Sequence, residues 1–266
     1  MARRLALIGS IAPYMPKPLA AAFFCFACVA GGTAAAQQLG TIRFDSWLSY
    51  QRNTDNSGRW QYDPRVFIPF NLSNGWTFTQ RFDLPVFYTD RVGPDNLSGG
   101  WKAGITDWYV EEIFTTPELA ENFKMWGSVR LVFPTGGASP FGAGQYQWAP
   151  AVNATYAMPE HRVTFSPTAR YFMSFHATEP GAAKIRQLSL FPTVTFALPE
   201  NWSFAIYPEN GINYNAVTHQ WFVPIDLMLL KRLANGMDLG IGSAFPLDKE
   251  NRLYKYNIYG RMTFYF

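Results

Sequence analysis

The chain has 266 residues, with 22 basic against 19 acidic, a net charge of +3 and a hydrophobic fraction of 48%. Aromatic residues reach 17%, yet mean hydropathy is close to zero and only the N-terminal region holds a long apolar run. This excludes a bundle of membrane helices, each of which needs ~20 consecutive apolar residues. The small basic excess is no nucleic-acid signal, for reasons that the N-terminus supplies.

The N-terminus begins with Arg3 and Arg4, followed by an apolar run over 19–31 and the small residues Ala34, Ala35 and Ala36. Basic start, apolar centre and small-residue exit predict a secretory signal peptide over 1–36, cleaved before Gln37. The run is shorter than a membrane span, and the sequence around Cys28 is a poor lipoprotein signal. Cleavage removes Cys25 and Cys28, so the mature chain crosses an oxidising compartment without a thiol. It also removes Arg3, Arg4 and Lys17 and no acid, leaving 19 basic residues against 19 acidic ones.

From residue 37 onward the chain reads as strand after strand. Period-two patterning predicts strands over 42–52, 60–71, 75–88, 100–114, 123–134, 146–157, 161–174, 184–198, 201–211, 219–231, 236–246 and 253–266. Most reach the ~9–11 residues that a tilted strand needs to cross a bilayer. Short turns at 71–75, 158–161, 199–201 and 233–236 alternate with Gly-, Pro- and Asn-rich connections at 90–100, 136–145, 176–183 and 213–218. Short turns on one side and longer loops on the other are the pattern of an outer-membrane barrel. The connection 115–123 is long for its side and has room for a helical turn. Prolines 64, 69, 85, 150, 167, 192, 208 and 224 fall within these strands. Proline cannot donate to the ladder, so several are expected at strand ends or bulges.

The last strand carries the clearest signal. Phe266, Phe264, Met262, Gly260, Ile258, Tyr256 and Tyr254 share one face, and Thr263, Arg261, Tyr259 and Asn257 share the other. The fold expected is all-β: an up-and-down antiparallel transmembrane β-barrel of about twelve strands, occupying 37–266. Closure requires the last strand to pair with 42–52.

Alternation then sorts side chains between lipid and lumen. A basic residue facing lipid costs ~2–4 kcal/mol at the bilayer midplane, so most charges are expected inside. The inward set is Arg65, Arg81, Arg130, Arg170 and Arg261 against Asp83, Asp107, Glu111, Glu209 and Asp226. Two readings stay open: a polar channel whose charges select small solutes, and a salt-bridge network that seals a narrow lumen. Glu112 follows Glu111 and falls on the lipid face, unless a bulge or an interfacial position relieves it. Trp47, Tyr109, Trp126, Phe191 and Tyr207 point inward, either as a track for aromatic solutes or as filling. Trp101, Trp148, Trp202, Trp221, Phe264 and Phe266 point outward as lipid-interface anchors.

The stretches 74–86 (NGWTFTQRFDLPV), 104–117 (GITDWYVEEIFTTP), 126–135 (WGSVRLVFPT) and 186–204 (RQLSLFPTVTFALPENWSF) carry a resemblance. The chain resembles a family of outer-membrane barrel transporters labelled as proteins of the MetA pathway of phenol degradation. The resemblance implies a porin-like fold, location in the bacterial outer membrane, and uptake of small, often aromatic or apolar compounds. It also implies that the assembly machinery of outer-membrane barrels reads the C-terminal strand through Phe266. The segment 37–40 (QQLG) lacks the Asn-Pro pair expected of relatives before the first strand.

Other chemistry finds little support. No mature cysteine, no H-x-x-x-H and no D-x-D-x-D-G loop is present, so no metal or cofactor is expected. His161, His176 and His219 lie in a turn, a loop and a strand start, and none has a serine at same-face spacing. The function expected is passive passage of small solutes, with outer-membrane lipids as surroundings and no nucleic-acid partner. The alternatives are a structural or adhesive barrel with a sealed lumen and, less favoured, a membrane-embedded lipid-modifying enzyme.

Overall fold

The computed structural model describes residues 38–72, 74–233, 236–248 and 251–266. The signal peptide expected over 1–36 lies outside them, as do Ser73 and Ala234–Asn235 of two predicted turns. The strands are β1 (Arg43–Asn53), β2 (Gly58–Asn71), β3 (Thr77–Asp83 and Val86–Thr89) and β4 (Lys102–Ile105 and Trp108–Thr115). They continue as β5 (Phe123–Phe133), β6 (Gln145–Met158), β7 (Val163–Phe165 and Thr168–Ala177) and β8 (Arg186–Phe191 and Val194–Ala197). The last four are β9 (Trp202–Ile206 and Ile212–Asn215), β10 (Gln220–Phe222 and Pro224–Leu233), β11 (Met237–Pro246) and β12 (Tyr254–Tyr265).

Each strand pairs antiparallel with the next, and β12 pairs with β1 from Tyr265↔Arg43 to Tyr254↔Asn53. The sheet is therefore a closed twelve-stranded barrel with no free edge. Closure also fixes what the alternation means. On β12, Ile258 and Met262 are 46% and 45% exposed, while Tyr259 and Thr263 are 2% and 1% exposed. The exposed face carries Leu48, Tyr62, Val129, Val152 and Ile241 on other strands. The buried face carries Asp45, Asp63, Asp83, Glu111 and Asp226. Apolar outside and polar inside inverts a soluble fold and suits a barrel in lipid.

Proline explains several strand breaks. Pro85, Pro167, Pro192 and Pro224 sit at the interruptions of β3, β7, β8 and β10, and Pro208 lies in the interruption of β9. Pro64 and Pro69 stay in regular pairing, and at Pro150 the β6–β7 ladder lapses between Ala151 and Trp148.

Four strands carry extra residues: β7 has one between Ser174 and His176 and β12 one between Tyr254 and Tyr256, and those of β4 and β9 bear on the lumen. Between Asp83↔Tyr109 and Val86↔Ile105, β3 advances three residues and β4 four, so β4 bulges by one at Thr106–Asp107. Between Leu190↔Ile212 and Val194↔Ile206, β8 advances four residues and β9 six, so β9 holds two extra.

Three local expectations change. The connection 115–123 forms no helical turn: Thr116 N–H reaches the Met125 carbonyl and Leu119 N–H the Phe123 carbonyl, which prolongs the hairpin. Tyr254 was expected to face lipid with Phe266, but a bulge between Tyr254 and Tyr256 turns it inward, where it is 5% exposed. Glu112 has no bulge beside it: Glu111↔Arg130 and Glu112↔Val129 are consecutive regular pairs. It faces outward opposite Gln80, one layer in from the Phe78–Phe114 contact at the short-turn end (ring centroids 4.9 Å).

Candidate functional site: the ionic layer inside the barrel

The extra residues of β9 leave the wall. At Tyr207 the backbone turns to a φ of 54°, and residues 207–211 dip into the barrel before the strand resumes at Ile212. Asp226 of β10, fully buried, anchors this insert. Its carboxylate accepts the backbone N–H of Glu209 (2.9 Å) and of Asn210 (2.6 Å), the Asn210 side chain (3.2 Å) and the Tyr259 hydroxyl (2.7 Å). Four donors compensate a desolvated carboxylate. Gly242 makes room for Tyr259, because a Cβ there would lie 2.3 Å from its ring.

The anchored insert projects Glu209 at Arg65 of β2. The two form a bidentate pair, Nη1 to Oε2 at 3.1 Å and Nη2 to Oε1 at 2.5 Å. Around the ring, β10, β11, β12 and β1 separate them on one side and β3 to β8 on the other. The pair is thus a chord across the lumen, at the middle of β2. Arg65 Nε also meets Asp63 at 2.7 Å and Asp83 at 3.3 Å.

A second cluster centres on Glu111 of β4. Its Oε2 accepts Arg130 Nη2 at 2.7 Å and Nε at 3.1 Å, and its Oε1 accepts Ser128 Oγ at 2.6 Å. Arg170 of β7 reaches the same Oε1 over β5 and β6, and Arg81 Nη1 lies 3.6 Å from Oε2. Arg81 joins the two clusters by pairing with Asp83 through Nε (2.7 Å) and Nη2 (2.6 Å). The layer holds Asp63, Asp83, Glu111 and Glu209 against Arg65, Arg81, Arg130 and Arg170, so its formal charges cancel. Buried charges persist only where partners offset their desolvation, and here each has at least one.

Inward aromatics serve the arginines. Arg65 lies over the Trp47 ring at 4.4 Å, Arg130 over Tyr109 at 3.9 Å and Arg43 over Phe67 at 3.6 Å. Arg261 lies over Trp47 at 5.4 Å, apart from the ion pairs of the layer. The faces of Trp47, Tyr109 and Phe67 are thereby occupied by cations.

Of the ten charged residues picked out by alternation, Arg65, Arg81, Asp83, Glu111, Arg130, Arg170 and Glu209 meet in this layer. Asp226 supports it from beneath the insert, and Arg261 lies to one side. Asp107 does something different. At the β4 bulge its carboxylate accepts the N–H of Gly136 (3.2 Å) and of Ala143 (2.7 Å), pinning the connection between β5 and β6. Asp107→Ala should therefore loosen that loop: protease added outside proteoliposomes should cut 134–144 faster, and an unchanged cutting rate would count against the anchor. Sequence reasoning omitted Asp63, although it lies two residues before Arg65 on the same face and is 1% exposed.

The outward aromatics form two groups. Trp101 packs on Tyr88, Trp148 on Phe175 and Trp221 on Tyr214 at the long-loop end. Trp202, Phe264 and Phe266 lie at the short-turn end, where Phe264 contacts Phe44 and Phe266. The histidines are dispersed: His161 faces Glu160 at 3.7 Å, His176 lies against Tyr146, and His219 Nδ1 is 3.1 Å from the Tyr214 hydroxyl.

A closed barrel with an apolar outer band, two aromatic belts, an ionic interior and loops longer at one end is an outer-membrane β-barrel. No protein-family model matches the chain, and no curated protein matches it in sequence. Solved structures share the fold. An outer-membrane channel from Pseudomonas putida F1 is similar at 14% identity with a TM-score of 0.61, over 87% of this chain and 95% of that one. The NanC porin is similar at 12% identity and a TM-score of 0.54, over 83% and 97%. The β domain of the Bordetella autotransporter BrkA follows at 11% and 0.50, over 87% and 100%.

Proposed function

We propose that this barrel is a narrow outer-membrane channel for passive diffusion of small hydrophilic solutes, with the ionic layer as its constriction. The Arg65–Glu209 chord carries this reading. It narrows the lumen through a segment outside the wall ladder, so aperture and barrel stability are separable. The neighbouring channel and porin agree with the reading in fold. The resemblance to the phenol-degradation barrels implies aromatic or apolar cargo, but the charged lining favours polar solutes. Outer-membrane lipids would contact the two aromatic belts, and β12 is the segment we propose the assembly machinery reads.

Planar-bilayer recordings and proteoliposome swelling test this. The expected result is a small conductance with weak ion selectivity, since the charges of the layer balance. No conductance and no swelling would overturn it. That outcome would favour the sealed barrel, a second reading that draws on the same chord.

A further inference from the structure

We infer that Arg43 and Arg261, two inward arginines beside the ionic layer, form a binding site for a small carboxylate. This deepens the channel reading by naming a class of cargo, and rests on it only for how the anion arrives.

The two side chains belong to the strands that close the barrel. Arg43 of β1 pairs in register with Tyr265 of β12, and Arg261 lies four residues before Tyr265, opposite Trp47. Alternation puts both on the inward face, near enough for their charges to act on one another. Each guanidinium lies against a ring, Arg43 over Phe67 at 3.6 Å and Arg261 over Trp47 at 5.4 Å. Such a contact draws on the positive charge and leaves the N–H donors without an acceptor.

Those donors are within reach of a solute. In both residues the Nε atom is enclosed and takes no part. The Nη atoms differ: none donates a hydrogen bond among the described residues, and none is enclosed. The Arg43 side chain is 39% exposed. Planar guanidinium edges match a carboxylate, which accepts two N–H groups side by side.

The local charges favour an anion. Asp45 lies 3.4 Å from Arg43 Nε, and Asp238 pairs with Arg232 at 3.0 Å. Arg81, whose charge also reaches Arg43, is held by Asp83. Asp226 is fully buried among its own donors. Arg261 forms no ion pair among the described residues, and its charge acts on Asp238 without contact. Arg43, Arg232 and Arg261 thus face Asp45 and Asp238, an excess of one cation. One excess charge suits a monoanion, because Asp45 and Asp238 oppose a second negative charge.

Saturation-transfer NMR on the detergent-solubilised barrel tests this without requiring conduction. Propionate is the probe and propionamide its neutral isostere, in low-salt buffer. Propionate should give a saturable signal that propionamide does not match and that weakens as salt rises. Arg261→Gln strands no carboxylate and should weaken the propionate signal several-fold; Arg43→Gln should do likewise. Arg59, at the long-loop end of β2, also forms no ion pair among the described residues, so Arg59→Gln is the control and should leave the signal unchanged. Each variant's fold is checked by heat-modifiable mobility on gels. A signal unchanged in folded Arg261→Gln or Arg43→Gln, lost in Arg59→Gln instead, absent from the wild type or matched by propionamide would each overturn the site. Displacement of propionate by inorganic phosphate at lower concentrations than by acetate would overturn the carboxylate assignment. Propionate binding by a barrel that shows no conductance would sink the channel reading and leave the site standing. Conductance without propionate binding would do the reverse.

Discussion

Glu209→Ala is expected to raise single-channel conductance several-fold with little loss of barrel stability. The substitution removes the far end of the lumen chord. Arg65 keeps Asp63 at 2.7 Å and Asp83 at 3.3 Å, so no buried cation is left without a partner. The insert keeps its backbone anchor, because Asp226 binds the N–H groups of residues 209 and 210 and not the Glu209 side chain. The layer then carries one excess positive charge, and reversal potentials should move towards anion preference. Arg65→Ala should also widen the lumen, but it leaves Asp63 and Glu209 without their arginine and so should shift preference towards cations. Opposite selectivity shifts with a common rise in conductance are specific to a charge chord. If both variants conduct like the wild type, the chord is not the constriction.

The second large effect belongs to Glu111. Glu111→Ala deletes the acceptor shared by Arg130, Arg170 and Ser128. Arg81 retains Asp83, but Arg130 and Arg170 lose the carboxylate that binds them. Removing one partner of a buried charge cluster costs about 3–5 kcal/mol where water does not replace it. A polar lumen admits some water, so the expected loss is near the lower end of that range. The urea midpoint of the barrel in detergent should fall accordingly. Glu111→Gln keeps the volume and an oxygen for Ser128, and should fall between the two. A wild-type midpoint for Glu111→Ala would mean that the arginines find other compensation and that the cluster is not structural.

These two residues also mark how far reading the sequence can go. Glu111 was legible as an inward charge, because alternation along 108–115 is unbroken once the strand is recognised. Its partners were not, since Arg170 reaches it from β7 over two intervening strands. Glu209 was assigned to the lumen on the assumption of a continuous strand over 201–211. It does reach the lumen, but by an insertion that the residues 207–211 announce only through Pro208 and Gly211. Tyr254 shows the same limit on a smaller scale. A bulge of one residue beside it turns it inward, and a bulge is defined by the count on the neighbouring strand.

By itself, the sequence determined the strand count, the two faces of each regular strand, and the closure of the last strand (253–266) onto 42–52. Those follow from a period-two pattern that each strand carries in its own residues, and from the cost of exposing charge to lipid. Only the tertiary structure decided which charges meet, where the lumen narrows and which polar atoms stay unpaired. Such contacts run across the barrel between residues as distant as 65 and 209. They depend on the register between strands and on where extra residues enter them, neither of which is written in any one strand.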